Sequence, residues 1–302
     1  MRRVAGWLAA LVVAAGSLAG CRADASDQPL VVVTTDILGD VVGELVGDQA
    51  EVMVLMPTGA DPHSFQVSAQ EVARMRTADL LVANGLGLEE GLATQVEAAR
   101  ADGVPVVEAG EAVEVLDWVG EDASGVDPHF WTDPTRMLAV TDALGQALAE
   151  HVRGVDADEL AADVARYQDE LRELDGWMAE QFALVPEERR NLVTNHHVFG
   201  YLADRFGFTV VGAVIPSGTT LAAPSAGDLD ELASSIREAG VRTIFVDSAQ
   251  PDRLARVLAE QAGVDVSVTP LFTESLSPAG EGADSYLAMM RANTEDIARG
   301  LR

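Results

Sequence analysis

Lysine is absent from this chain. All 20 basic residues are arginines, set against 49 acidic ones, for a formal net charge of −29. Affinity for nucleic acid comes from neutralising phosphates with Lys and Arg, so this balance excludes nucleic acid as a partner. The excess of carboxylates favours solubility and mildly concentrates cations near the surface. Cysteine is nearly absent: Cys21 is the only one, which excludes an internal disulfide. Beyond the leader, no apolar run approaches the ~18 residues that a membrane-spanning helix needs. Histidine is scarce as well, with five in 302 residues, and four of the five fall in motif-like places.

The first residues are a leader. Arg2 and Arg3 precede an apolar stretch, Val4 to Ala15, of signal-peptide length and too short to span a bilayer. Leu18-Ala19-Gly20-Cys21 follows and resembles the lipobox of bacterial lipoproteins. That resemblance implies cleavage before Cys21 and a diacylglycerol on its thiol. Two lipid chains, at about 0.8 kcal/mol per buried methylene, hold a protein on a membrane without a spanning helix. Residues 1–20 are thus expected to be the signal peptide and 21–28 a flexible tether.

The mature chain alternates strands and helices, which predicts an α/β fold with parallel sheets flanked by helices. Strands are expected at 29–35, 52–56, 79–83 and 104–107, and helices at 37–46, 69–77 and 89–100. An acidic segment, 114–126, reads as irregular. Pro134 opens a helix that runs to about His151. The 27 residues from Asp158 to Leu184 then read as one helix of about 40 Å, a stiff strut between two domains. The alternation restarts with strands at 191–194, 208–215, 241–246 and 264–268, and helices at 198–206, from after Ser225 to 239, 252–262 and 283–301. The expected division is a first lobe at 29–157, a linking helix at 158–186 and a second lobe at 187–302.

The histidines follow a pattern. An apolar strand feeds Asp61-Pro62-His63-Ser64-Phe65, and the same grammar returns in Asp127-Pro128-His129-Phe130-Trp131. His196 follows the strand ending at Thr194. In α/β sheets ligands collect at the carboxyl ends of strands, so these loops converge on a site between the lobes. Imidazole and carboxylate suit an ion of the zinc class, usually four-coordinate. Only one of His196 and His197 is expected to reach the site, because adjacent side chains diverge. The other caps the following helix or makes a supporting hydrogen bond. His151 reads as surface. The fourth ligand is expected to be a carboxylate. Asp61 and Asp127 fit turn-shaping roles and Asp36 a helix cap, which leaves Glu274 and Asp247 open.

Several stretches together resemble the solute-binding lipoproteins of zinc and manganese ABC importers, the TroA-, PsaA- and ZnuA-type proteins. They are Gly59-Ala60-Asp61-Pro62-His63-Ser64-Phe65, Asp127-Pro128-His129-Phe130-Trp131, Thr194-Asn195-His196-His197-Val198-Phe199-Gly200-Tyr201, Pro224-Ser225, Ile244-Phe245-Val246-Asp247, and Ser285 to Met290 with Asn293. They cover the mature chain nearly end to end. The resemblance implies two α/β lobes joined by one long rigid helix, with limited closure. It places the ligand positions on His63, His129, His196 and Glu274. His197 stands where the family usually has Asp, and Glu274 where it commonly has Asp.

Three imidazoles and one carboxylate suit zinc better than manganese, which prefers more oxygen; manganese or iron is the alternative. No His-Glu-x-x-His helix and no Gly-x-Ser-x-Gly elbow occurs. A zinc hydrolase with Glu274 as its base is therefore the lesser reading, and a surface adhesin a third. The expectation is a non-catalytic, monomeric receptor tethered outside the cell through Cys21. It captures a divalent ion and passes it to a permease driven by its ATPase.

Overall fold

The structure, a computed structural model, describes residues 28–119, 124–263 and 266–302. The leader and Cys21 lie outside the described residues. So do residues 264–265, where the expected strand at 264–268 was to begin.

The first half builds a four-stranded parallel sheet in the order β2-β1-β3-β4, from β1 (Leu30–Val33), β2 (Glu51–Val54), β3 (Leu80–Ala83) and β4 (Val106–Glu108). β1 and β3 are buried along their whole length, the property that an apolar run without alternation announces. Helix α1 (Asp36–Val46) follows β1, and α2 (Ala69–Met75) is opened by a capping box of Ser68 and Glu71. Two expectations fail here. Asp36 does not cap α1: Thr35 does, its hydroxyl accepting from the Leu38 amide. The helix expected from Glu89 begins only at Ala93, as α3 (Ala93–Ala101). Gly85, Leu86 and Gly87 all have positive φ, and the buried Glu89 carboxylate accepts from the Thr34 hydroxyl and the Asn84 and Gly85 amides. That carboxylate organises a loop instead.

The acidic segment is not wholly irregular. β5 (Asp117–Val119) and β6 (Ser124–Val126) pair antiparallel, with Trp118 opposite Gly125. After it come α4 (Pro134–His151), capped by Asp133, and α5 (Ala157–Ala183), capped by Asp156.

α5 is 27 residues long and buries Leu160, Tyr167, Leu171, Leu174, Met178 and Phe182 along one side. It packs on α1 and α4 and also on α9 (Tyr286–Leu301). One hydrophobic core therefore runs from Val31 and Leu38 through α5 to Tyr286 and Ile297, while smaller clusters fill the outer face of each sheet.

The second half pairs β7 (Asn191–Thr194) with β8 (Thr209–Ala213), and β9 (Thr243–Asp247) with β10 (Ser267–Leu271), both parallel; β7 lies beside β9. α6 (Gly200–Phe206), α7 (Ala226–Ala239) and α8 (Arg253–Ala262) each end at a left-handed glycine. α6 starts two residues later than its apolar pattern suggests, and β10 extends three residues past the expected end. Pro270 lies inside β10; with β9 its only partner among the described residues, the missing N–H breaks no second ladder. Among the described residues no helix is long and apolar enough to cross a membrane.

Candidate metal centre

Each Asp-Pro-His loop folds by the same local rule. The Asp61 carboxylate accepts from the His63 amide at 2.9 Å, and the Asp127 carboxylate from the His129 amide at 3.0 Å. An Asp bonding the backbone two residues on is an Asx turn, and the intervening Pro cannot compete as a donor. The turn throws each imidazole inward: His63 is 1% exposed and His129 fully buried. The two aspartates then diverge. Asp127 also takes the ring Nδ1 of His129 at 2.7 Å, which leaves Nε2 facing the centre. Asp61 reaches across to the second lobe instead, accepting from the Thr220 hydroxyl at 2.6 Å and the Gln250 amide at 3.2 Å.

His196 arrives from the end of β7, fully buried. His197 turns away. Its ring stacks on Trp118 of β5, centroids 5.7 Å apart and planes 18° from parallel, so it caps no helix. Asp247, at the end of β9, is buried and accepts from the amide and hydroxyl of Thr273 and from the Ala249 amide. It holds the residue before Glu274 and stands outside the converging set. The first lobe grips the same loop: Trp131, the aromatic after the second Asp-Pro-His, donates its indole N–H to the Thr273 carbonyl at 3.0 Å.

His63, His129, His196 and Glu274 each bring one ligand atom to a common point, all within 4.8 Å of one another. The Nε2 atoms of His63 and His129 are 3.4 Å apart, as are those of His129 and His196. Glu274 Oε1 is 2.9 Å from His196 and 3.5 Å from His129, and Oε2 is 3.9 Å from His63. Ligand atoms bonded at ~2.0–2.1 Å to one tetrahedral ion stand roughly 3.3 Å apart. The 3.4 and 3.5 Å separations match such an edge, and 2.9 and 3.9 Å fall about half an ångström to either side. Outside this cluster the two Glu274 oxygens find no hydrogen-bond partner among the described residues.

Burial governs the protonation of this cluster. It pushes the His63 imidazolium down to about 2, helped by the neighbouring His129 and His196. It likewise pushes His196 down to about 4, against the pull of Asp247, Asp61 and Asp127. It drives the Glu274 carboxyl up to about 8; His129 opposes this, and Asp247, Asp61 and Asp127 reinforce it. His63 and His196 are thus neutral at pH 7, the state in which imidazole coordinates.

Asp36 escaped sequence reasoning, because an Asp at the start of a helix has a ready local explanation. Its carboxylate instead accepts from Ser275 and Leu276, just past Glu274. The stack of His197 on Trp118 was also invisible, since it joins residues 79 positions apart across the two lobes.

A buried cage of three imidazoles and a carboxylate, held between two α/β lobes, defines a metal-capturing solute-binding protein. Residues 31–300 match the family described as zinc-uptake complex component A, periplasmic, and the chain belongs to that family. It is 28% identical over 298 residues, 96% of each chain, to the manganese-binding lipoprotein MntA of Halalkalibacterium halodurans. It is 29% identical over 305 residues to the zinc-binding protein TroA of Treponema pallidum, covering 97% of this chain and 98% of that one. The solved structure of the periplasmic zinc-binding protein TroA from Treponema pallidum superposes with a TM-score of 0.84, covering 91% of this chain and 99% of that one at 29% identity. The protein is thus a substrate-binding component of a metal ABC importer.

Proposed function

We propose that this chain captures zinc outside the cell through His63, His129, His196 and Glu274 and delivers it to the permease of its importer. The carrying observation is the cage itself, with its Nε2 atoms 3.4 Å apart around one buried point. Three nitrogens and one carboxylate favour zinc over manganese, whose sites are richer in oxygen. Relatives named for manganese and for zinc are about equally similar, so the donor set decides the reading. Glu274 acts as a ligand, not a general base. Its Oε1 lies 2.9 and 3.5 Å from the Nε2 atoms of His196 and His129, the spacing of neighbouring ligands around one ion, whereas a hydrolytic site keeps that place open for water.

The protein works as a monomer, with lobes at 29–157 and 187–302 joined through 158–186. Lipidated Cys21 holds it on the outer side of the membrane, a reading supported by the lipobox-like Leu18-Ala19-Gly20-Cys21 and by relatives named lipoproteins. The deciding experiment is calorimetric titration of the demetallated protein with zinc and manganese at matched pH. Zinc is expected to bind more tightly at one site per chain, and His129→Ala to lose most of that affinity while the apo fold persists. Tighter manganese binding, or near-native zinc binding by His129→Ala, would overturn the assignment.

A further inference from the structure

The Glu274 carboxylate belongs to the second lobe, yet the loop that carries it is held by the first. One hold is the Trp131 indole on the Thr273 carbonyl. The other is Asp36. One oxygen of its carboxylate, Oδ2, accepts from the Ser275 hydroxyl at 2.5 Å and from the Leu276 amide at 3.0 Å. The same Ser275 oxygen accepts from the Gly59 amide at 2.6 Å. Gly59 opens the loop that ends in His63. A continuous chain of hydrogen bonds thus runs from the start of α1, through the residue after Glu274, to the loop of His63.

Asp36 is not explained by its own helix. Thr35 already caps α1. Asp36 is 6% exposed and its second oxygen, Oδ1, has no partner. Burying a carboxylate with one unsatisfied oxygen costs stability, and burial raises this carboxyl to about 6. A favourable place on the helix dipole, worth about 0.3–1 kcal/mol at a surface, gives no reason to bury it. The bonds it makes across the lobes do.

We propose that Asp36 is a positioning residue for metal retention: through Ser275 it locks the Glu274 and His63 loops together across the lobe boundary. The proposal rests on Glu274 and His63 being ligands. Breaking the lock frees the carboxylate edge of the cage and one imidazole at once, which is the step that lets an ion leave.

Cobalt-loaded protein tests this, because visible absorption separates four-coordinate Co2+ from higher coordination. Asp36→Ala is expected to weaken the four-coordinate bands and to speed zinc transfer to a chelator by about tenfold or more, the scale of lost outer ligand supports. Asp36→Asn keeps an oxygen that accepts from Ser275 and Leu276, and should restore both readouts. Ser275→Ala should shift them in the same direction, and adding it to Asp36→Ala should change nothing further. If Asp36→Ala fails to fold, Ser275→Ala carries the test alone. An unchanged cobalt spectrum and zinc transfer rate in both single variants would overturn the lock. So would effects of the two that simply add. Wild-type protein that takes up neither cobalt nor zinc would instead overturn the metal reading on which the lock rests.

Discussion

Glu274 and its three imidazole neighbours form a cluster whose protons are tied to its cargo. At pH 7 the apo carboxyl, raised to about 8 by burial, is mostly protonated, while His63 and His196 are already neutral. In the proposed site zinc takes the carboxylate form of Glu274, so binding should expel about one proton. Calorimetry in two buffers of different ionisation enthalpy reads that number directly. Between about pH 4, where His196 begins to protonate, and about pH 8, affinity should rise roughly tenfold per unit of pH. Above that window it should level off. Stability of the apo protein follows the same group in the opposite sense. A carboxyl raised in the folded state favours folding below its unfolded pKa, and that advantage disappears as pH climbs through the folded value. The Glu274 contribution to apo stability should therefore fall between about 4.5 and 8 and be absent from the zinc-loaded form. A buffer-independent binding enthalpy at pH 7 would show that no proton leaves.

At the scale of elements, the site depends on helix starts and strand ends more than on the ligands' own neighbours. α6 opens on Gly200, where a Cβ would stand 2.3 Å from Asp127 Oδ2. Only glycine lets that carboxylate sit against the helix while it orients His129. Gly200→Ala should therefore weaken zinc binding about 10–100-fold, the usual scale for disturbing a ligand's hydrogen-bond partner, with Asp127→Ala matching it. Ser225→Ala supplies the contrast. It removes the capping box of α7, which packs on α8 and β8, and should cost about 1 kcal/mol of stability in chemical denaturation without altering affinity. Much of this was legible from sequence, because local rules govern it. Asp-Pro-His turns and buried apolar strands state their roles within a few residues. Glu274 could be named only through resemblance, since spacing alone left Asp247 equal to it. What stayed hidden was long-range: Glu89 diverted from a helix by Thr34, Asp36 drawn away from capping by Ser275, and His197 laid on Trp118. Each has a plausible local use that a distant partner overrides.

For the whole molecule, α5 is more than a strut. A bare connector between two cores would let each half unfold alone and swing freely. Here the buried side of α5 lies in one core that includes α1, α4 and α9, so each half's packing continues into the other's. Hydrogen bonds cross the same boundary from Asp61, Trp131, Asp36 and Tyr286, the last donating its hydroxyl to the Trp131 carbonyl at 2.8 Å. Unfolding of the apo protein should accordingly be a single calorimetric transition, its van't Hoff and calorimetric enthalpies agreeing. Zinc at about a thousand times its dissociation constant adds ~4 kcal/mol to the folded state. At about 2 °C per kcal/mol for a domain of this size, the transition should move up by roughly 8 °C. It should move as one peak, because the proposed site draws on both halves of a core that was already continuous. Two apo transitions, with only the upper or only the lower one responding to zinc, would mean that the lobes melt independently and that α5 does no more than link them.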